Sequence, residues 1–230
     1  MKILVINGSP RGERSNTSKV TRAFLKGMGE KAHWVDAYSA NIHPCTGCFS
    51  CWNETPGRCA VRDDMDEIIE AISGAELMIW STPQYSYGMP SPLKAVMDRL
   101  LPLSTGGQAV NEEGRISHVL RVKYPRAMLI SGCGFADSRF NCEPLIMQFE
   151  YFFGRDCPHI YCAQSPLFSI PNTERITRPY LSAAEQAGSE FAQTGCISSG
   201  TQDRLDDLML PAEMYRKMVN LAAEHGHRIG

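Results

Sequence analysis

A short apolar run that stops at a glycine, followed by a loop of hydroxyl groups and then an amphipathic stretch, sets the frame for this 230-residue chain. Lys2 to Ile6 reads as a buried strand ending at Asn7-Gly8. From Asn16 to Gly29, Val20, Phe24, Leu25 and Met28 fall at helical spacing, and Gly29 ends the helix. The alternation repeats downstream, as expected for a parallel sheet covered by helices. Further strands are predicted at His33 to Tyr38, Glu76 to Trp80, Ala127 to Ser131 and His159 to Cys162. Further helices are predicted from Asp63-Asp64 to Gly74, where Asp64 and Glu67 have capping-box spacing, and over Pro92 to Leu103, Pro144 to Phe153, Ser182 to Gln193 and Pro211 to Glu224.

Between these elements lie a long cysteine-rich loop at 39–62, an insertion near 104–123, and a tail from about 195 that starts with an exposed connection over Gly195 to Asp207. In the last helix, Leu210, Met214, Met218 and Leu221 form one stripe, read as core or subunit contact. No linker or repeat divides residues 1–230, which read as one α/β domain with five parallel strands. The 23 basic and 25 acidic residues leave a net charge of −2, so no basic field exists for nucleic acid or an anionic membrane. No apolar run approaches the ~18 residues of a membrane span. The apolar start ends too early for a secretory signal. A cytoplasmic enzyme or carrier is the expected class.

In open α/β sheets ligands bind beyond the carboxyl ends of the strands, where strand order reverses; for order 2-1-3-4-5 that point lies between the first and third strands. The loop after the first strand, Asn7 to Thr17, offers the hydroxyls of Ser9, Ser15 and Thr17, the guanidinium groups of Arg11 and Arg14, and a helix N-terminus. Together they form a phosphate cradle. It is neither a Walker A loop nor a G-x-G-x-x-G loop. The loop after the third strand, Ser81 to Pro92, holds Tyr85, Tyr87, three prolines and a glycine, and can stack against a flat ring. Ser131-Gly132-Cys133-Gly134 after the fourth strand lets backbone approach a ligand closely. The set suggests a planar heterocycle carrying one phosphate.

These residues carry a resemblance. Lys2-Ile3-Leu4-Val5-Ile6-Asn7-Gly8-Ser9-Pro10-Arg11 with Ser15-Asn16-Thr17 resembles the start of the flavodoxin-like NADPH-dependent FMN reductase family. Pro83-Gln84-Tyr85 through Pro92-Leu93-Lys94 and Asp98 resembles that family's second flavin loop and the helix after it. Cys45-Thr46-Gly47-Cys48-x-x-Cys51, with Gly57-x-Cys59 and Asp63-Asp64-Met65, resembles the iron–sulfur flavoprotein branch. The resemblance implies a flavodoxin-like three-layer sandwich with the sheet order 2-1-3-4-5 and helices on both faces. It places an FMN phosphate at Ser9, Arg11, Ser15, Asn16 and Thr17, and the isoalloxazine near Pro83, Gln84, Tyr85, Ser86, Ser131, Gly132, Cys133 and Gly134. NAD(P)H is the implied co-substrate, a quinone or flavin the implied acceptor, and a homodimer or homotetramer the implied assembly. The flavin would carry the chemistry, so no catalytic side chain is assigned.

Nine cysteines in a chain without a signal peptide fit a disulfide framework poorly. The spacing of Cys45, Cys48, Cys51 and Cys59 can bring four thiolates to a [4Fe–4S] centre, although the gap before Cys59 is long for the resembling branch. Packed thiols and structural zinc stay open beside the cluster. Two alternatives to the reductase follow: an iron–sulfur flavoprotein passing electrons between FMN, the cluster and a redox protein, and a non-enzymatic flavin/thiol sensor responding through Cys45, Cys48 and Cys51. Cys133 is read as reactive if exposed; Cys142, Cys157, Cys162 and Cys196 as small buried or half-buried residues. The six histidines, including His43, show no carboxylate companion in the sequence, and His225 and His227 with Arg228 read as a solvated tail.

Overall fold

The first strand, β1 (Ile3–Asn7), is buried along its whole length. Its apolar residues point to both faces, so both need cover. The computed structural model describes residues 1–110 and 114–226. It places β1 in a parallel sheet with β2 (Ala32–Asp36), β3 (Leu77–Pro83), β6 (Arg126–Gly132) and β7 (His159–Cys162). The order is β2-β1-β3-β6-β7, and β4 (Ser104–Val110) and β5 (Ile116–Leu120) pair antiparallel with each other in a separate ribbon. With that ribbon set aside, the order is the predicted 2-1-3-4-5, and residues 104–123 are its excursion.

Side chains alternate across the sheet. Ile3 and Val5 meet Phe24 of α1 (Asn16–Met28) and Ala184 and Phe191 of α6 (Glu174–Thr194). Leu4 and Ile6 meet Ile72 of α3 (Met65–Gly74), Val96 of α4 (Ser91–Asp98) and Phe149 of α5 (Glu143–Phe153). Helices α1 and α6 approach so closely that a Cβ on Gly188 would sit 1.9 Å from the Phe24 carbonyl oxygen. Only glycine is compatible with that crossing.

Several elements differ from expectation. The helix predicted over Pro92 to Leu103 stops at Asp98 and is followed by a separate 3₁₀ turn at Leu101–Leu103, where Pro102 has no N–H to continue the ladder. The helix predicted from Ser182 begins at Glu174 and carries Pro179 within it. Gly195 to Asp207 is not an exposed connection: α7 (Ser199–Asp206) is capped by the Ser198 hydroxyl, which accepts the Thr201 N–H at 3.3 Å, and it buries Thr201 and Leu205 against β7. Of the two readings of the methionine–leucine stripe, core within this chain is ruled out: α8 (Ala212–Glu224) buries only Tyr215 and leaves Met214 and Leu221 more than half exposed, which leaves subunit contact. Asp64 does not cap α3; it accepts the Asn41 N–H at 2.8 Å, while Asp63 accepts the Met65 N–H at 3.1 Å. Among the described residues no helix is long and apolar enough to cross a membrane.

Candidate functional site

The loop between β1 and α1 is built from local hydrogen bonds. Ser15, extended at φ −70°, caps α1 by accepting the Ser18 N–H at 3.0 Å, and its hydroxyl lies 3.2 Å from that of Thr17. Ser18 donates back to the Gly12 carbonyl at 3.0 Å, and Ser9 accepts the Arg11 N–H at 3.3 Å. Asn16 accepts from Ser169 at 2.7 Å, which ties the loop to the segment after β7. The N–H groups of Asn16 and Thr17 lie in the first turn, where an α-helix offers no carbonyl partner. Arg11 and Arg14 are exposed, and among the described residues no carboxylate pairs with either. First-turn donors and two guanidinium groups without a carboxylate are the kind of groups that can hold an anion.

The loops after β3 and β6 meet at the same carboxyl edge, where Gln84 donates its N–H to the Gly132 carbonyl at 2.9 Å. Tyr85 and Gly88 exchange two backbone hydrogen bonds around Ser86 and Tyr87, which have φ of 48° and 65°. Two consecutive non-glycine residues in the left-handed region store strain of a kind found at ligand loops. The turn exposes Tyr85 and Tyr87, and Tyr87 stacks on Phe135 with ring centroids 5.9 Å apart. Gln84 does more than line the ring: its side chain accepts from the Tyr161 hydroxyl and donates to the Asn141 carbonyl, so it braces the two loops. The Ser131 hydroxyl is buried and has no protein partner. Cys133 is buried, and burial pushes its thiol up, so it is not the reactive thiol the sequence allowed for. The anion loop, the aromatic faces and the orphaned Ser131 hydroxyl together fit a phosphorylated planar ring such as FMN.

Cys45, Cys48, Cys51 and Cys59 line one cavity, so the structure brings together the four residues singled out in the sequence. All nine cysteines are free thiols. Burial and the neighbouring Cys59, Cys48 and Cys45 push the Cys51 thiol up, whereas hydrogen bonds from Ser50 pull that of exposed Cys48 down. Within the loop a short helix, α2 (Ser50–Asn53), carries Trp52, whose indole donates to the Leu101 carbonyl at 3.0 Å and packs between Phe49 and His118 of the ribbon.

Sequence reasoning missed the residue that holds this loop. Arg99, 1% exposed, forks onto Asp63, 0% exposed, through two hydrogen bonds of 2.9 Å. It also donates to the His43 carbonyl at 2.8 Å and the Val61 carbonyl at 3.0 Å. Burial opposes the charge on Arg99, but Asp63 and Cys59 sustain it. Arg99 also lines the cysteine cavity, and its Nε is buried without a hydrogen-bond partner. A lone arginine just past a helix end carries no sequence signal of such a role. His43 likewise gains a companion the sequence did not reveal, its Nδ1 lying 3.2 Å from Asp63. His227 and Arg228 lie outside the described residues. The donor chemistry suits an iron–sulfur centre, yet among the described residues no three His, Cys, Asp or Glu side chains stand ready to hold a metal ion.

A parallel 2-1-3-4-5 sheet with ligand loops at its carboxyl edge defines a flavodoxin-like protein. The structure superimposes on an FMN-dependent NADH-azoreductase of Bacillus anthracis, solved in complex with FMN, with a TM-score of 0.59 over 85% of this chain and 99% of that one at 19% identity. Residues 1–114 match the model of the NADPH-dependent FMN reductase family. An iron–sulfur flavoprotein of Methanocaldococcus jannaschii is 36% identical over 117 residues, 50% of this chain and 59% of that protein. An FMN-dependent NAD(P)H:quinone oxidoreductase of Pseudomonas aeruginosa is 24% identical over 145 residues, 58% of this chain and 68% of that protein. The chain spans about half the length of the iron–sulfur flavoproteins it matches.

Proposed function

We propose that the protein is an FMN-dependent NAD(P)H oxidoreductase that reduces a quinone or flavin and works in the cytoplasm as a homodimer or homotetramer. One observation carries the reading: an anion loop and an aromatic loop occupy the same carboxyl edge of the sheet, on either side of its switch point. Ser9, Arg11, Ser15, Asn16 and Thr17 would hold the phosphate. Pro83, Gln84, Tyr85 and Ser86 would face the ring on one side, and Ser131, Gly132, Cys133 and Gly134 on another. FMN supplies the two-electron chemistry that links nicotinamide to acceptor. The chain binds and orients it: the first turn of α1 neutralises the phosphate, Gln84 locks the two ring loops together, and the Ser131 hydroxyl offers a buried hydrogen bond.

Thr17→Val keeps the shape of the side chain and removes its hydroxyl. FMN affinity, followed by flavin fluorescence quenching, should fall about tenfold while the unfolding midpoint stays put. Unchanged affinity would count against this assignment.

A second reading is favoured by the cysteine cavity, which Cys45, Cys48, Cys51 and Cys59 line together. On it, Cys45, Cys48, Cys51 and Cys59 would hold an iron–sulfur cluster. Protein purified without air would then hold about four irons per chain, with sulfide and a broad absorption beneath the flavin bands. A clean two-band flavin spectrum without iron returns Cys45, Cys48, Cys51 and Cys59 to a thiol role.

A further inference from the structure

A cavity of about 510 Å³ opens between residues 134–141 and α8, within the range of small-molecule sites. We propose that it receives the electron acceptor and selects planar aromatic compounds bearing a negative charge. The proposal rests on the flavin reading above, because Gly134, assigned to the ring, also lines this cavity beside Phe135.

Its walls are aromatic. Phe135 stacks on Tyr87 behind the cavity, and Tyr215 of α8, fully buried, has a hydroxyl with no hydrogen-bond partner. Phe140 is 90% exposed and sits at φ 62°, a conformation that costs energy for a bulky residue. The loop holds it there: its N–H donates to Glu143 at 2.8 Å, and the Asn141 amide donates to the Arg139 carbonyl at 3.0 Å. An exposed aromatic ring kept in a strained pose beside a cavity acts as a wall awaiting a flat partner.

The charge of the cavity is positive. Arg139 is neutralised by Asp137 at 2.9 Å, whereas among the described residues no carboxylate pairs with Arg216. None of these walls comes from residues 1–114, the part matched by the reductase family model, so acceptor choice resides in the second half of this chain. The balanced reaction is NAD(P)H plus a proton plus quinone giving NAD(P)⁺ plus hydroquinone. Two electrons and one proton originate in the nicotinamide hydride, and solvent supplies the second proton.

The test uses FMN-loaded protein with two acceptors, anthraquinone-2-sulfonate and uncharged 2-methyl-1,4-naphthoquinone. Arg216→Glu should raise KM for the sulfonate about tenfold more than KM for the neutral quinone. Phe140→Ala should raise both severalfold, since it removes a stacking face. FMN content, sedimentation and calorimetric titration with redox-inert naphthalene-2-sulfonate are measured on the same samples. Equal KM changes for the two acceptors in Arg216→Glu, or none, overturn the proposal. A changed oligomeric state without a KM change also overturns it, because a second copy then covers the cavity. Naphthalene-2-sulfonate that binds wild type in the absence of FMN, with no FMN uptake, would sink the flavin reading and the acceptor role while leaving an anion pocket. No binding in FMN-replete protein would sink the pocket alone.

Discussion

The loop after β1 is held by hydroxyls a few residues away, whereas the cysteine loop is held by a guanidinium from beyond another helix. In the first, Ser15, Thr17 and Ser18 answer one another and Gly12 within seven residues of chain. In the second, Arg99 reaches back to His43, Val61 and Asp63 and clamps both ends of the cysteine segment from the C-terminus of α4. Local devices are weak one by one and degrade gradually. A single buried ion pair is all or nothing, because losing either partner strands the other charge out of water.

The largest break in that comparison comes from Arg99→Met. It leaves Asp63 buried and unpaired, which should cost about 3–5 kcal/mol. Denaturant unfolding should show that loss, and Cys45, Cys51 and Cys59 should become open to alkylation in the folded protein. Replacing both partners, Arg99→Met with Asp63→Leu, should recover much of it. A single variant as stable as wild type would mean that the loop is held elsewhere.

Acid sharpens the same contrast. Burial alone would raise the Asp63 carboxyl, but hydrogen bonds from Arg99 and from the His43 and Met65 N–H groups hold it well below the usual carboxylate range. A depressed carboxyl stabilises the folded state above its unfolded pKa of about 3.9, and that stability is lost as pH falls through the folded value. The cysteine loop should therefore stay closed at pH 5 and loosen only below about pH 4. Labelling with 4,4′-dithiodipyridine, which reacts in acid, would follow it. Loosening between pH 5 and 7 would point to a different group.

Legibility follows the same division. The strands and the order of the sheet could be read because their signals are local: apolar runs and a glycine stop. The four cysteines could be named, and the structure gathers them on one cavity. What holds them could not, because the partner of Asp63 lies 36 residues away with no periodic mark. The α7 helix escaped for a related reason. Its polar residues look solvated, and only the packing of Thr201 and Leu205 on the sheet reveals a buried face. Capping-box spacing points to Asp64, but spacing cannot tell it from Asp63, whose carboxylate serves both Met65 and Arg99.

A smaller effect belongs to Ser15. Ser15→Ala removes the cap of α1 and should cost about 1 kcal/mol by denaturant unfolding. FMN affinity should fall further than for Thr17→Val, since the first-turn donors lose their alignment as well as a hydroxyl. Equal losses of affinity in the two variants would mean that Ser15 acts only as another ligand contact and not as the organiser of the turn.

The smallest effect tests whether the ribbon helps Arg99. Trp52 links α2 to the Leu101 carbonyl and stacks with Phe49 and His118, while Gly106 lies under its ring so tightly that a Cβ there would come within 3.2 Å. Trp52→Phe keeps a stacking face but deletes the indole donor, leaving the Leu101 carbonyl to the Ser104 hydroxyl and N–H. The cost should be about 1 kcal/mol or less. If the ribbon only covers the loop, hydrogen exchange will quicken in residues 104–110 and 116–120 and leave the Val61 and Asp63 region protected. If protection also drops there, the ribbon and the ion pair form one cooperative unit, and the cysteine loop depends on two long-range clamps.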